Sequence, residues 1–147
     1  MIRRLALLST PLLLVAATLV AACGGGAKDV FDDPPDATKL AVRLSEYKIE
    51  TKGEPTDAVT KLNVQNTGTV THDIKLVRTD LAPDALPRKD ADVDESKVEI
   101  LAKATDLKRR DRATLDVKLQ PGNYVLFCNV SGHYKLGMHT GFEVSAK

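Results

Sequence analysis

The sequence predicts an all-β domain, because apolar and polar residues alternate in several short stretches that turn residues separate. Alternation with a period of two places the apolar side chains on one face of a β-strand. No amphipathic stretch long enough for a substantial helix interrupts this pattern. Several short strands at such spacing are typical of an antiparallel sandwich or barrel.

The first half of the predicted domain contains three alternating stretches. The stretch 39–49 is interpreted as one strand with a bulge, because its alternation slips once near Tyr47. The stretch 59–65 ends in the turn signal Asn66-Thr67-Gly68. A third strand follows over 72–78 and begins with His72.

The second half is less regular at first and clearer towards the end. Residues 80–97 contain two prolines and many Asp and Lys residues, which predicts an exposed connection, with a short helix or strand over 94–101. Further strand predictions are an alternating stretch over 113–119, an apolar stretch over 124–128 after a turn, and a closing stretch over 141–144.

The N-terminal residues predict export. Residues 1–22 combine Arg3 and Arg4 with an apolar run and small residues, as in a secretory signal peptide. The stretch from Val20 to Cys23 resembles the lipobox of bacterial lipoproteins, which implies that Cys23 carries lipid and anchors the protein to the membrane. An ordinary signal peptide with a leftover cysteine is the alternative. Residues 23–38 are then a lipidated cysteine and flexible linker, and 39–147 form one domain.

Charge and cysteine count narrow the functional classes. Loss of residues 1–22 lowers Lys+Arg from 21 to 19 against 20 Asp+Glu, so the mature chain carries about −1 and has no basic character that would favour nucleic acid. If Cys23 carries lipid, Cys128 is a lone thiol in an oxidising compartment. Such a thiol needs an explanation, and metal ligation supplies one.

One loop near the C-terminus carries three potential metal ligands at even spacing. His133 follows Cys128 by five residues, and Met138 follows His133 by five, in a chain with only three His and two Met. Two imidazoles, a thiolate and a weak thioether form the donor set of blue-copper sites. His72, at the head of a distant strand, is the expected fourth ligand. The sequence therefore predicts one copper ion per chain, cycling between Cu(I) and Cu(II).

The segments Asn66-Thr67-Gly68, His72-Asp73 and Gly122 to Met138 resemble the ligand segments of cupredoxins, the family of plastocyanin, azurin and sulfocyanin. The resemblance covers most of residues 39–147. It implies a Greek-key β-sandwich with type 1 copper, with His72, Cys128 and His133 as equatorial ligands and Met138 as the axial ligand.

The resemblance also implies how electrons reach the metal. His133 is expected to reach the surface through an apolar patch, for which Val130, Tyr134 and Leu136 are the candidate residues. His139 is left out of the site, because adjacent side chains on a strand point to opposite faces.

Two residues depart from the usual cupredoxin pattern. Asp73 follows the first histidine where Asn is common, and Asn129 follows the cysteine where Ser or Thr is common. We expect the Asn129 amide to donate a hydrogen bond to the Asp73 carboxylate, whose negative charge would lower the reduction potential.

These observations favour a non-enzymatic electron carrier. The histidines left over are too few for the second copper centre of an oxidase or nitrite reductase. The expected protein is a monomer that faces the periplasm or another extracytoplasmic space and exchanges electrons with redox partner proteins. Copper delivery by the same fold is one alternative, and an adhesion or ligand-binding sandwich with an inert Cys128 is another. The basic cluster 108–112 is expected to be a solvated turn, or else to dock an acidic partner.

Overall fold

Two four-stranded β-sheets pack face to face in the computed structural model, which describes residues 28–146. This architecture confirms the predicted all-β sandwich. A two-stranded hairpin and two short 3-10 helices, Val30–Asp32 and Glu95–Lys97, complete it. The strands are β1 (Lys39–Ser45), β2 (Lys48–Lys52), β3 (Lys61–Asn66), β4 (His72–Arg78), β5 (Arg88–Lys89), β6 (Asp92–Val93), β7 (Ile100–Leu107), β8 (Arg112–Asp116), β9 (Gly122–Phe127) and β10 (His139–Val144).

Each sheet combines strands from the first and second halves of the domain. The first sheet has the order β2-β1-β3-β8, and the second has the order β10-β9-β4-β7. All neighbouring strands in these sheets are antiparallel except β1 and β3, which run parallel. The second sheet thus sets β4, which begins with His72, directly against β9, which leads into Cys128.

The main core lies between the sheets and follows the alternation seen in the sequence. In β1, Leu40, Val42 and Leu44 are buried while the residues between them are partly exposed. In β3, Leu62 and Val64 continue the same layer. Burial of these side chains is the main favourable free energy of the fold, at roughly 1.5–3 kcal/mol for each.

The irregular step near Tyr47 is a tight turn, so the prediction of one bulged strand over 39–49 is wrong. β1 and β2 are the two arms of a hairpin in which Leu44 pairs with Ile49 and Ser45 pairs with Lys48. Tyr47 has a positive φ of 57°, in the left-handed region, where the chain reverses between the two arms. Apolar and polar residues alternate on both sides of the turn, which is why the sequence pattern resembled one strand.

The segment 80–97 is more than an exposed connection, because it builds a second small core on the outer face of the second sheet. Leu86 and Val93 are buried there, at 3% and 4% exposure. They pack with residues of β4, β9 and the ligand loop, namely Val77, Val125, Phe127 and Tyr134. β4 is therefore buried on both faces, and its strict alternation is lost. The sequence did not predict this small core, because Leu86 and Val93 are isolated apolar residues in a segment rich in charged residues.

The described chain begins eleven residues before the predicted domain boundary at residue 39, and these residues lie against the first sheet. Val30 is buried and its amide donates to the Gln65 side chain at 2.6 Å. The Arg43 guanidinium lies 4.3 Å from the centre of the Phe31 ring. The predicted signal peptide and Cys23 lie outside the described residues. Among residues 28–146, no helix is long and apolar enough to cross a membrane.

Replacement of a core leucine tests the packing between the sheets. Leu76 is fully buried in β4, so Leu76→Ala is expected to lower the free energy of unfolding by about 2–5 kcal/mol, through lost burial and a residual cavity. Leu101 in β7 is 43% exposed, and Leu101→Ala should cost only about 0.5 kcal/mol. Urea unfolding measures both. Equal losses in the two variants would contradict the assignment of the core.

Candidate metal centre

Three side chains from two distant parts of the chain bring their donor atoms close together. His72 begins β4, Cys128 follows the last residue of β9, and His133 lies in the loop before β10. The Nδ1 atoms of the two histidines are 3.2 Å apart, and Cys128 Sγ lies 3.5 Å from His133 Nδ1. Their ligand atoms all lie within 4.8 Å of one another. The structure thus brings together the three equatorial ligands that the sequence predicted.

Asn66 holds His72 in place, a role that the sequence analysis did not assign. Its fully buried side chain donates to the carbonyl oxygens of Val70 and Leu107, at 2.7 and 2.9 Å. Its own side-chain oxygen accepts from the Gly68 amide at 2.8 Å. These bonds join the turn before His72 to the end of β7. The turn signal at 66–68 marked the position, but its contact with β7 depends on the tertiary fold.

The loop from Cys128 to Met138 is folded by its own backbone. The Cys128 amide donates to the Met138 carbonyl at 3.0 Å, and the Met138 amide donates to the His133 carbonyl at 3.1 Å. Gly132 and Gly137 have positive φ values of 81° and 96°, which glycine adopts without strain. Met138 is fully buried beside Cys128. All four predicted ligands therefore belong to one compact cluster.

The donor geometry fits a single ion. The donor atoms lie 3.2 Å apart between the two imidazole nitrogens and 3.5 Å apart between His133 and the sulfur, so one ion placed among them could bind all three. Two imidazoles, one thiolate and a neighbouring methionine form the donor set of blue copper, whereas structural zinc sites use Cys and His alone.

The metal-free protonation states also suit a metal site. Burial lowers the pKa of His72, and the nearby His133 lowers it further, so the imidazole is neutral and free to donate a lone pair. Burial raises the pKa of the Cys128 thiol, which must lose its proton to bind a metal. Within the described part of the chain, His72 Nε2 is buried without a hydrogen-bond partner.

The predicted hydrogen bond between Asp73 and Asn129 is wrong. The Asn129 amide donates instead to Glu95 Oε1 at 2.7 Å and to the Val93 carbonyl at 3.2 Å. The Asp73 carboxylate accepts from the Asp106 amide at 3.0 Å. Asp73 meets the site through its backbone, whose N–H donates to Cys128 Sγ at 3.2 Å. The sequence could not reveal these partners, because Glu95 and Asp106 belong to segments that only the fold brings close.

The predicted apolar patch around His133 is correct in part. His133 is partly exposed, Leu136 is 59% exposed and Val130 is partly exposed. Tyr134 is buried, so its assignment to the patch is wrong. Tyr47 and Val70 are 43% and 40% exposed, and the Tyr47 ring meets the His133 ring edge-on at 5.2 Å between centroids. Tyr47 therefore adds an aromatic edge to this surface, which we call the His133 face and define by His133, Leu136 and Tyr47.

Tyr134 has a structural role on the other side of the loop. Its hydroxyl donates to the Pro83 carbonyl at 2.7 Å and accepts from the Leu86 amide at 3.0 Å. It thus fastens the ligand loop to the segment 80–97. The His139 ring packs against the Tyr134 ring at 5.0 Å, and His139 is not part of the donor cluster.

Comparison with solved structures identifies the fold. The chain superposes on reduced auracyanin from Roseiflexus castenholzii with a TM-score of 0.53 at 23% identity, covering 74% of this chain and 97% of that one. It superposes on rusticyanin from Thiobacillus ferrooxidans with a TM-score of 0.52 at 14% identity, covering 76% and 79%. Both are cupredoxins, and the chain has the cupredoxin fold. No protein-family model and no curated protein matches the sequence.

The buried histidines predict that the metal-free protein loses stability in mild acid. Burial lowers the pKa of His72 and His139 below the ordinary value of 6.5, so only the unfolded chain takes up these protons as the pH first falls below 6.5. The free energy of unfolding should therefore decrease from pH 7 to pH 5, and His72→Leu should flatten this slope. Urea unfolding at each pH measures it. An identical slope in the variant would contradict the burial of a neutral His72.

Proposed function

We propose that the protein is a mononuclear type 1 copper protein that carries single electrons between extracytoplasmic redox partners. The observation that carries this proposal is the convergence of His72 Nδ1, His133 Nδ1 and Cys128 Sγ, with buried Met138 beside them. When bound, copper supplies the one-electron couple between Cu(I) and Cu(II). This donor set favours copper over the metals that prefer oxygen ligands.

The chain's own contribution is to hold the ligands in one arrangement. His72 is fixed by β4 and by Asn66, and Cys128 is fixed by β9 and by the backbone bond to Met138. The Asp73 amide donates to the Cys128 sulfur and stabilises its thiolate form. Ligands held in this way by sheet and loop need little rearrangement when the charge at the site changes. Small rearrangement favours rapid electron transfer.

The His133 face supports a role in contact with other proteins. His133 is partly exposed, its ring meets the exposed Tyr47 ring, and the exposed Leu136 lies three residues further along the same loop. Exposed apolar side chains grouped around one polar group are a common feature of protein interaction sites. Electrons would enter and leave through the His133 ring. The basic cluster 108–112 follows β7, whose last residue, Leu107, pairs with His72, so it lies at the same end of the sandwich.

Export and anchoring are part of the proposal and rest on the first 27 residues of the sequence. The signal-like residues 1–22 and the lipobox-like cysteine support a protein held at the bacterial membrane by lipid on Cys23. Such a protein would face the periplasm or another extracytoplasmic space. Its partners would be redox proteins at that surface, and the proposed carrier has no enzymatic turnover of its own.

Copper loading and a ligand variant test the proposal directly. The protein is expected to bind one equivalent of copper, to show intense visible absorption when oxidised, and to cycle reversibly by one electron. Cys128→Ser should abolish the visible absorption, because the thiolate–copper bond produces it, while circular dichroism stays that of a folded sandwich. A protein that binds only cuprous ion and stays colourless would indicate copper delivery. Absence of stoichiometric binding would contradict both functions.

A charge on the His133 face should slow electron exchange. Leu136→Asp is expected to lower the rate of electron self-exchange between copper-loaded molecules by about tenfold or more, because two like-charged faces must then meet. Leu101→Asp is the matched control, since Leu101 is exposed at the other end of β7 from Leu107, the partner of His72. Nuclear magnetic resonance line widths in mixed oxidation states measure the rate. Equal slowing in both variants would contradict the proposed route through His133.

A further inference from the structure

Lys75 is a buried cation near the centre of β4. It is 6% exposed, between Lys103 of β7 and Phe127 of β9 in the sheet register. Its ammonium group forms an ion pair with Glu95 and lies 3.7 Å from Asp73 Oδ2. A lysine at such depth is costly unless it is paired, and here it has carboxylates from two different segments as partners.

The Lys75 ion pair is continuous with hydrogen bonds to the ligand loop. Glu95 accepts from the Asn129 amide at 2.7 Å, and Asn129 follows the proposed thiolate ligand directly. The Asn129 side-chain oxygen accepts from the Val93 amide at 2.8 Å. Four residues further along the loop from Cys128, the Gly132 amide donates to Asp92 Oδ1 at 2.7 Å. The segment 92–95 thus holds the ligand loop at two positions, Asn129 and Gly132.

The same group of residues sets the charge next to the sulfur. Asp73 donates its backbone N–H to Cys128 Sγ, and its carboxylate lies near the Lys75 ammonium group. Without Lys75, the carboxylates of Asp73 and Glu95 would lose their buried cationic partner, and Asp73 would add a negative charge without an ion-pair partner beside a thiolate. In a buried region such charges are weakly screened and act over several ångströms.

We propose that Lys75 is a positioning residue for the copper site: through Glu95 it locks Asn129 and the ligand loop, and beside Asp73 it offsets carboxylate charge near the Cys128 sulfur. This inference rests on the proposed copper function and deepens it. Lys75 touches neither the metal nor an electron partner. Its effect reaches the metal through the position and the charge environment of the thiolate.

Charge-changing variants of the copper-loaded protein test this inference through the midpoint potential. Lys75→Met removes a positive charge, which favours the oxidised ion, so the potential should fall. Glu95→Gln and Asp73→Asn each remove a negative charge, so the potential should rise. Lys103→Met is the matched control, because Lys103 lies opposite Lys75 on β7 and also acts on Glu95 by its charge, but it is exposed to solvent, so its shift should be several-fold smaller.

The signs of the shifts decide the outcome. Equal shifts of the midpoint potential in Lys75→Met and Lys103→Met, or a lowered potential in Glu95→Gln, would overturn the inference. General loosening of the fold would not be expected to shift the potential in opposite directions in Lys75→Met and Glu95→Gln. If Lys75→Met does not fold, Glu95→Gln and Asp73→Asn give the answer, because each keeps an oxygen that can accept the existing hydrogen bonds.

Hydrogen exchange in the metal-free protein separates this inference from the copper proposal. Lys75→Met should speed exchange of the Val93 and Gly132 amides relative to those of β1, and Lys103→Met should not. If the wild-type protein binds no copper, the proposed function fails, and faster exchange in Lys75→Met still supports the lock on the loop. Unchanged exchange at both amides would overturn the lock.

Discussion

The pairing of β9 with β10 is the constraint on which the candidate site depends. His139 lies opposite Phe127 in this antiparallel pair, so the residues just beyond, Cys128 and Met138, must face each other at the mouth of the loop. The Cys128 amide completes the pairing with a bond to the Met138 carbonyl. His133, midway along the loop, is then folded back over the same point. A shift of one residue in this register would turn the ligands away from one another.

The second constraint is that the polar groups that support the site, unlike the ligand atoms, are hydrogen-bonded within the protein. Asn66, Lys75 and the backbone of the loop find their partners within the protein, so the ligands are placed by the fold. His72 Nδ1 and Cys128 Sγ instead face mainly the His133 ring, apart from the backbone amides of Val130 and Asp73 on the sulfur. This contrast between satisfied surroundings and converging donor atoms distinguishes a ligand site from a polar core.

The sequence was sufficient to predict the features that depend on neighbouring residues, namely the strands and the spacing of the ligands in the loop. The even spacing of Cys128, His133 and Met138 predicted the donor cluster, and the alternation of β1 and β3 predicted the sandwich. Contacts between segments that are distant in the sequence could not be predicted in this way. Such contacts depend on how the β1–β2 hairpin and the segment 80–97 pack against the second sheet. They are the Tyr47–His133 ring contact, the Glu95–Asn129 hydrogen bond and the burial of Tyr134. A charged segment with few apolar residues carries little sequence signal for such packing.

X-ray absorption at the copper edge of the copper-loaded protein tests the central claim most directly. We expect copper to be bound by two imidazole nitrogens and one sulfur at short distance, and the sulfur contribution to be lost in Cys128→Ser. These are the ligands that the three converging donor atoms would provide. Copper bound only by oxygen and nitrogen in the wild-type protein would contradict the assignment of Cys128, and with it the proposal that this cupredoxin fold carries type 1 copper.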